Sequence, residues 1–130
     1  MKRKILLIED NEQNRYLTTF LLEGHGYQVV SAPDGLAGVA MARDERPDLI
    51  LLDIQLPGMD GYAVARALRS IATLRSVPII AVTSFAMVGD REKCLAAGCT
   101  GYIEKPINPD TFAEEIESFG PPSTTREDDA

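Results

Sequence analysis

Five polar side chains in this sequence stand where apolar runs stop. Glu9 and Asp10 follow Ile5-Leu-Leu-Ile8, Asp53 follows Leu49-Ile-Leu-Leu52, Thr83 follows Pro78-Ile-Ile-Ala-Val82, and Lys105 follows Tyr102-Ile-Glu104. Three carboxylates held within a few ångströms repel one another; at an effective dielectric near 20 each close pair costs about 4 kcal/mol. A shared proton or a divalent cation relieves that. Hard oxygen ligands with room for water suit Mg²⁺, with Mn²⁺ as the substitute, and Mg²⁺ usually completes its shell with waters and a phosphate. A hydroxyl and a lysine facing the same carboxylate make sense if it carries a phosphoryl group. The metal and Lys105 neutralise its roughly two negative charges while Thr83 donates a hydrogen bond. Asp53 is then a nucleophile that attacks a phosphoryl donor and becomes an acyl phosphate. Taken singly, each residue has a plainer reading: a strand terminus, a solvated loop opening, a β-branched strand residue, a charged turn. Jointly they form a much rarer accident.

The elements around these residues must place all five at one edge. Leu49 to Leu52 is apolar on both faces, which reads as a central strand of a parallel sheet covered by helices on each side. The same pattern predicts strands at Lys4–Glu9, Tyr27–Ala32, Val77–Thr83 and Thr100–Glu104, with the third opening at Asp48. Helices are expected between them. The first runs from Glu12 to about His25, its apolar side made of Leu17, Phe20, Leu21 and Leu22, with Gly26 as C-terminal cap. Asp34 caps a second that reaches Arg46 before Pro47, and Gly38 inside it argues for close helix–sheet packing. Asp60 caps a third through Val64, Leu68 and Ile71, with Arg66 and Arg69 on its outer face. A fourth, Gly89 to Ala97 with Gly98 as cap, has the weakest apolar stripe and is the expected mobile element. Pro109 and Asp110 start a fifth through Phe112, Ile116 and Phe119. This alternation predicts a doubly wound α/β sandwich, a five-stranded parallel sheet in the flavodoxin-like order 2-1-3-4-5 with five helices. Strands one and three flank the switch point of that order, where ligands bind beyond the carboxyl ends of the strands.

Length and composition set outer limits. The 130 residues are one domain's worth, with 45% hydrophobic and 25% charged residues. No apolar run approaches the ~20 residues of a membrane span, and the short run behind Met1-Lys-Arg-Lys is no signal peptide. A cytoplasmic protein without membrane attachment is expected. The net charge of −7 argues against a nucleic-acid surface. Cys94 and Cys99 have neither disulfide nor metal spacing and read as small packing residues. His25, with no second histidine, reads as a surface residue. Residues 120–130, rich in Pro and charge, form an expected disordered acidic tail.

The motifs resemble the receiver domain of two-component response regulators, the CheY-like superfamily, from Lys2 to about Phe119. They are Ile8-Glu-Asp-Asn11, Asp34-Gly35, Pro47-Asp-Leu-Ile-Leu-Leu-Asp53, Leu56-Pro-Gly-Met-Asp-Gly61, Pro78-Ile-Ile-Ala-Val-Thr83, Ala97-Gly98 and Tyr102-Ile-Glu-Lys-Pro106. Asp53-Ile-Gln55 and Thr83-Ser-Phe-Ala-Met87 look closest to stand-alone receivers of the DivK type. The resemblance implies a receiver domain over 1–119 and Asp53 as acceptor of a phosphoryl group from a sensor histidine kinase or histidine phosphotransfer protein. It implies Mg²⁺ on Asp10, Asp53 and the Gln55 backbone carbonyl, with Glu9 acting through water. Thr83 and Lys105 would contact the phosphoryl group, and the bond before Pro106 would be cis. Thr83 would move on phosphorylation and Tyr102 turn inward, re-shaping the face of helix four, strand five and helix five for a downstream protein target. The surface around Ser84-Phe-Ala-Met87 and Tyr102 is the expected partner interface, on a monomer. No enzymatic activity is expected beyond slow self-phosphorylation and autodephosphorylation.

Two other classes fit less well. An aspartyl-nucleophile phosphatase or phosphotransferase generally needs a second carboxylate two residues on, and here Gln55 holds that position. A flavodoxin-type binding module would need a Gly-rich phosphate loop after strand one, where Glu9-Asp10-Asn11-Glu12 stands instead.

Overall fold

The computed structural model describes residues 3–56, 60–84, 89–105 and 107–119. Five parallel strands, β1 (Lys4–Ile8), β2 (Gln28–Ala32), β3 (Leu49–Asp53), β4 (Ile79–Thr83) and β5 (Gly101–Glu104), form one sheet in the order β2-β1-β3-β4-β5. Five α-helices connect and follow them: α1 (Glu12–Gly24), α2 (Gly35–Glu45), α3 (Gly61–Arg69), α4 (Asp90–Ala96) and α5 (Phe112–Phe119). The expected doubly wound topology is the observed one.

Side chains alternate across the sheet and divide the core in two. Leu6, Ile8, Ile50 and Leu52 face α2, α3 and α4, packing with Ala42, Val64, Leu68 and Cys94. Ile5, Leu7, Leu49 and Leu51 face α1 and α5, packing with Leu22, Phe112 and Ile116. All five residues of β3 are buried, as its unbroken apolar run requires of a strand covered on both faces.

Cap chemistry fixes where the helices begin. Asp34 Oδ1 accepts from the Ala37 N–H at 2.8 Å, and Asp60 Oδ1 from the Tyr62 N–H at 2.9 Å, the capping roles expected of both. Gly38 does sit against the sheet: a Cβ there would lie 2.5 Å from Ile8 Cδ1. Gly98 follows α4 at φ +106, a conformation that favours glycine.

Several boundaries and faces differ from expectation. Glu9, Tyr27, Asp48, Val77 and Thr100 fall just outside their strands. Helix α3 ends at Arg69 rather than Ile71, and a 3₁₀ turn at Ala72–Leu74 follows. Helix α5 starts at Phe112, after a turn at 109–111. Arg69 is not a solvated outer-face residue. Its guanidinium donates to the carbonyls of Leu74 at 2.7 Å, Val77 at 2.7 Å and Gly98 at 2.7 Å, stapling the end of α3 to the entries of β4 and β5. The periodicity of α1 also misled. Leu22 is fully buried, but Leu17 and Phe20 are exposed, the latter stacked on exposed Tyr16. The short helix α4 buries only Cys94 fully.

Candidate functional site

The site lies at the carboxyl edge of the sheet, and each of its residues is delivered by a strand end. The Glu9 N–H donates to the Ala32 carbonyl at 3.1 Å, carrying β1–β2 pairing one residue past the strand and holding Glu9 over the sheet. Asn11, whose role the sequence did not reveal, turns the chain into α1. Its Oδ1 accepts from the Asn14 N–H at 2.8 Å, and its own N–H donates to Glu9 Oε2 at 3.2 Å. Asp53 ends β3, buried, with Oδ1 accepting from the Gln55 N–H at 2.9 Å. Carboxylate oxygens of Glu9, Asp10 and Asp53 all lie within 4.8 Å of one another. Thr83 is buried at the end of β4, and its carbonyl accepts from the Lys105 N–H at 2.7 Å.

Lys105 closes the cluster. Its Nζ stands 3.2 Å from Glu9 Oε1 and 3.3 Å from Asp53 Oδ2, a bridge between strands separated by 96 and 52 positions. Burial alone would lower the lysine pKa, but the charges of Asp53 and Glu9 outweigh it and raise the value, so Lys105 stays an ammonium. The Glu9 carboxyl is pushed up, first by burial and then by repulsion from Asp53, with Lys105 opposing. One lysine against three carboxylates leaves the site short of positive charge. An all-oxygen donor set of this kind fits a hard divalent cation.

Gln55 joins two loops. Its backbone N–H is committed to Asp53, while its side-chain Oε1 accepts from the Ser84 N–H at 3.0 Å. The loop after Asp53 is thereby tied to the first residue after β4. Beside Lys105 a cavity of about 480 Å³ opens between Glu9, Asn14, Leu17, Ser84 and Ile107, which leaves an approach to the cluster from the α1 side.

A mouth of acids with one lysine, on this strand order, also matches what comparison with known proteins finds. Residues 5–117 match the response regulator receiver domain. The chain belongs to that family. The receiver is 44% identical over 119 residues to the polar-differentiation response regulator DivK of Brucella anthropi, covering 92% of this chain and 97% of that one. Among solved structures it resembles Vibrio cholerae chemotaxis protein CheY4, with a TM-score of 0.88 and 28% identity over 92% of this chain and 99% of that one. It also resembles the receiver domain of the Pseudomonas aeruginosa sensor histidine kinase PA1611, with a TM-score of 0.83 and 39% identity over 92% and 98% of the two chains. That structure is described as having a magnesium ion coordinated in its active-site cleft. The protein is thus a two-component signalling receiver, and the aspartyl-phosphatase reading is left without support.

The receiver brings Glu9, Asp10, Asp53 and Lys105 together, with Thr83 on the adjoining strand. Tyr102 is half-buried and packs against the α2–α3–α4 side of the core. Cys94 and Cys99 are buried free thiols; burial pushes the Cys99 thiol up to about 12. His25 is exposed, with Nδ1 3.0 Å from the Leu21 carbonyl. Pro106 and Phe85-Ala-Met87, which carry the cis-bond and much of the interface expectation, lie outside the described residues, as does the segment 120–130. Among the described residues no helix is long and apolar enough to cross a membrane.

Proposed function

We propose that this receiver takes a phosphoryl group on Asp53 from the histidine of a sensor kinase or phosphotransfer protein, in a Mg²⁺-dependent reaction. The observation that carries the reading is the Lys105 ammonium set between Glu9 and Asp53, with the Asp10 carboxylate within the same 4.8 Å cluster. Asp10, Asp53 and the Gln55 backbone carbonyl would hold the metal, with Glu9 reaching it through water; the magnesium of the related PA1611 receiver supports the assignment. Bound there, the cation supplies charge neutralisation for the three acids and the incoming phosphoryl oxygens. An Asp53 carboxylate oxygen attacks phosphorus in line, and the bond to the donor imidazole nitrogen breaks as that ring keeps the electron pair. Lys105 exchanges part of its bond to Asp53 for a phosphoryl oxygen, and the Thr83 hydroxyl donates to another.

The new hydrogen bond from Thr83 is what would turn chemistry into a signal. Thr83 moves toward the phosphate, Tyr102 swings inward, and the α4–β5–α5 face changes for a downstream protein. Residues 1–119 act as the receiver, in the cytoplasm, as a monomer, with the tail outside it. The test is phosphorylation of the purified chain by a small acyl phosphate with Mg²⁺, read by intact mass and base lability. Labelling should be lost in Asp53→Asn and on chelation of Mg²⁺. Labelling that persists in a folded Asp53→Asn protein would sink the assignment.

A further inference from the structure

Arg15, in the first turns of α1, has no part in the chemistry above. Its Nη1 donates to the Glu9 carbonyl at 2.9 Å and to the Asp10 carbonyl at 3.1 Å. Its backbone N–H donates to the Asn11 carbonyl at 2.9 Å. One residue therefore takes three successive carbonyls, those of the whole loop between β1 and α1. The guanidinium is always charged and offers five donors in a rigid plane. Yet it makes no ion pair among the described residues and spends its side-chain bonds on the peptide oxygens of the two acids rather than on their carboxylates. On its other side the loop is held by the Glu9 N–H bond to Ala32 and the Asn11 N–H bond to Glu9 Oε2.

We infer that Arg15 is a positioning residue for the metal site: it pins the Glu9-Asp10 backbone so that both carboxylates converge on Asp53, and thereby sets Mg²⁺ affinity without ligating. The inference rests on the metal reading proposed above. Fixing both peptide planes removes backbone freedom that would otherwise have to be surrendered when the cation binds. The charge of Arg15 acts in the opposite direction, since a guanidinium near a divalent cation repels it. The two roles therefore predict opposite signs.

The test is calorimetric titration of the full chain with MgCl₂ at fixed ionic strength, comparing wild type with Arg15→Met, Arg15→Lys and Asp10→Asn. Partners that orient metal ligands are worth roughly 10–100-fold in affinity. Arg15→Met, which keeps the stem and loses the donors, should weaken Mg²⁺ binding about tenfold. Arg15→Lys, which keeps the charge and can hold one carbonyl, should fall between that and wild type. Arg15 lies half-buried on a helix surface, so these variants should fold; thermal melts check it, and the lysine variant decides the matter if the methionine one does not fold. Affinity unchanged or tightened in the folded variants would overturn the inference. If Asp10→Asn abolishes binding while the Arg15 variants match wild type, the metal site stands and Arg15 has no part in it. If wild type itself does not take up Mg²⁺, both readings fall.

Discussion

At the scale of single residues, the site is governed by too many carboxylates for its one lysine. Glu9 shows the consequence, because burial and Asp53 both raise its pKa. In the metal-free protein Glu9 thus gives up its proton at a higher pH than in the unfolded chain, where the value is near 4.5. Stability from this group is complete below that value and is lost as pH rises through the raised one. The metal-free melting temperature should therefore fall as pH climbs above 4.5 on account of this group. Saturating Mg²⁺, bound as proposed, should stabilise the folded chain at pH 7 by about 2.7 kcal/mol when the free metal reaches a hundred times its Kd. Melting curves at several pH values with and without MgCl₂ check this. A glutamine at position 9 should flatten the metal-free trend; an unchanged slope would count against the account.

At the scale of elements, local signals placed the helix starts well and the helix faces less well. Asp34 and Asp60 cap through their own side chains, so a short stretch of sequence suffices to see them. Arg69 and the α1 stripe could not be read that way. Whether Arg69 meets water or the Gly98 carbonyl depends on a turn 29 positions away. Leu17 and Phe20 stay exposed because Thr18 and Leu22 already fill the side of α1 that meets the sheet. Gly61 offers a prediction at this scale. A Cβ there would overlap the Ile54 carbonyl oxygen and lie 2.5 Å from the Ile54 Cα, and backbone cannot swing aside as a side chain can. Gly61→Ala should cost about 2 kcal/mol and weaken phosphorylation through Asp53, the residue before Ile54. Denaturant melts and labelling rates should both show it; a variant as stable as wild type would mean that the α3 start shifts freely.

At the scale of the whole molecule, contacts far apart in sequence hold the layers together. The Tyr27 hydroxyl donates to Glu117 Oε2 at 2.7 Å, tying the entry of β2 to α5 across 90 positions. Burial and then the Glu117 bond push Tyr27 from 10.0 up to about 12. A raised phenol keeps its proton in the folded state, so its contribution is complete below pH 10 and lost as pH rises to about 12. Tyr27→Phe should cost about 1.5 kcal/mol at pH 7, as a hydrogen bond to a charged group, and the gap to wild type should narrow between pH 10 and 12. Urea melts at the two ends of that range test it, and a gap that stays constant would rule out the tyrosine proton as its source.

For the strand order the alternation of elements offered only the commonest of the few topologies that right-handed crossovers leave. The sequence by itself determined the two-sided burial of β3 and the placing of Glu9, Asp10, Asp53, Thr83 and Lys105 at the ends of its strands. Those follow from local apolar runs and from where each run ends, which neighbouring residues alone decide. Only the tertiary structure decided that Lys105 bridges Glu9 and Asp53, that Gln55 reaches Ser84, and that Arg15 gathers the carbonyls of Glu9 and Asp10. Each depends on where a long flexible side chain comes to rest, and that is set by packing between segments, which no periodicity along the chain records.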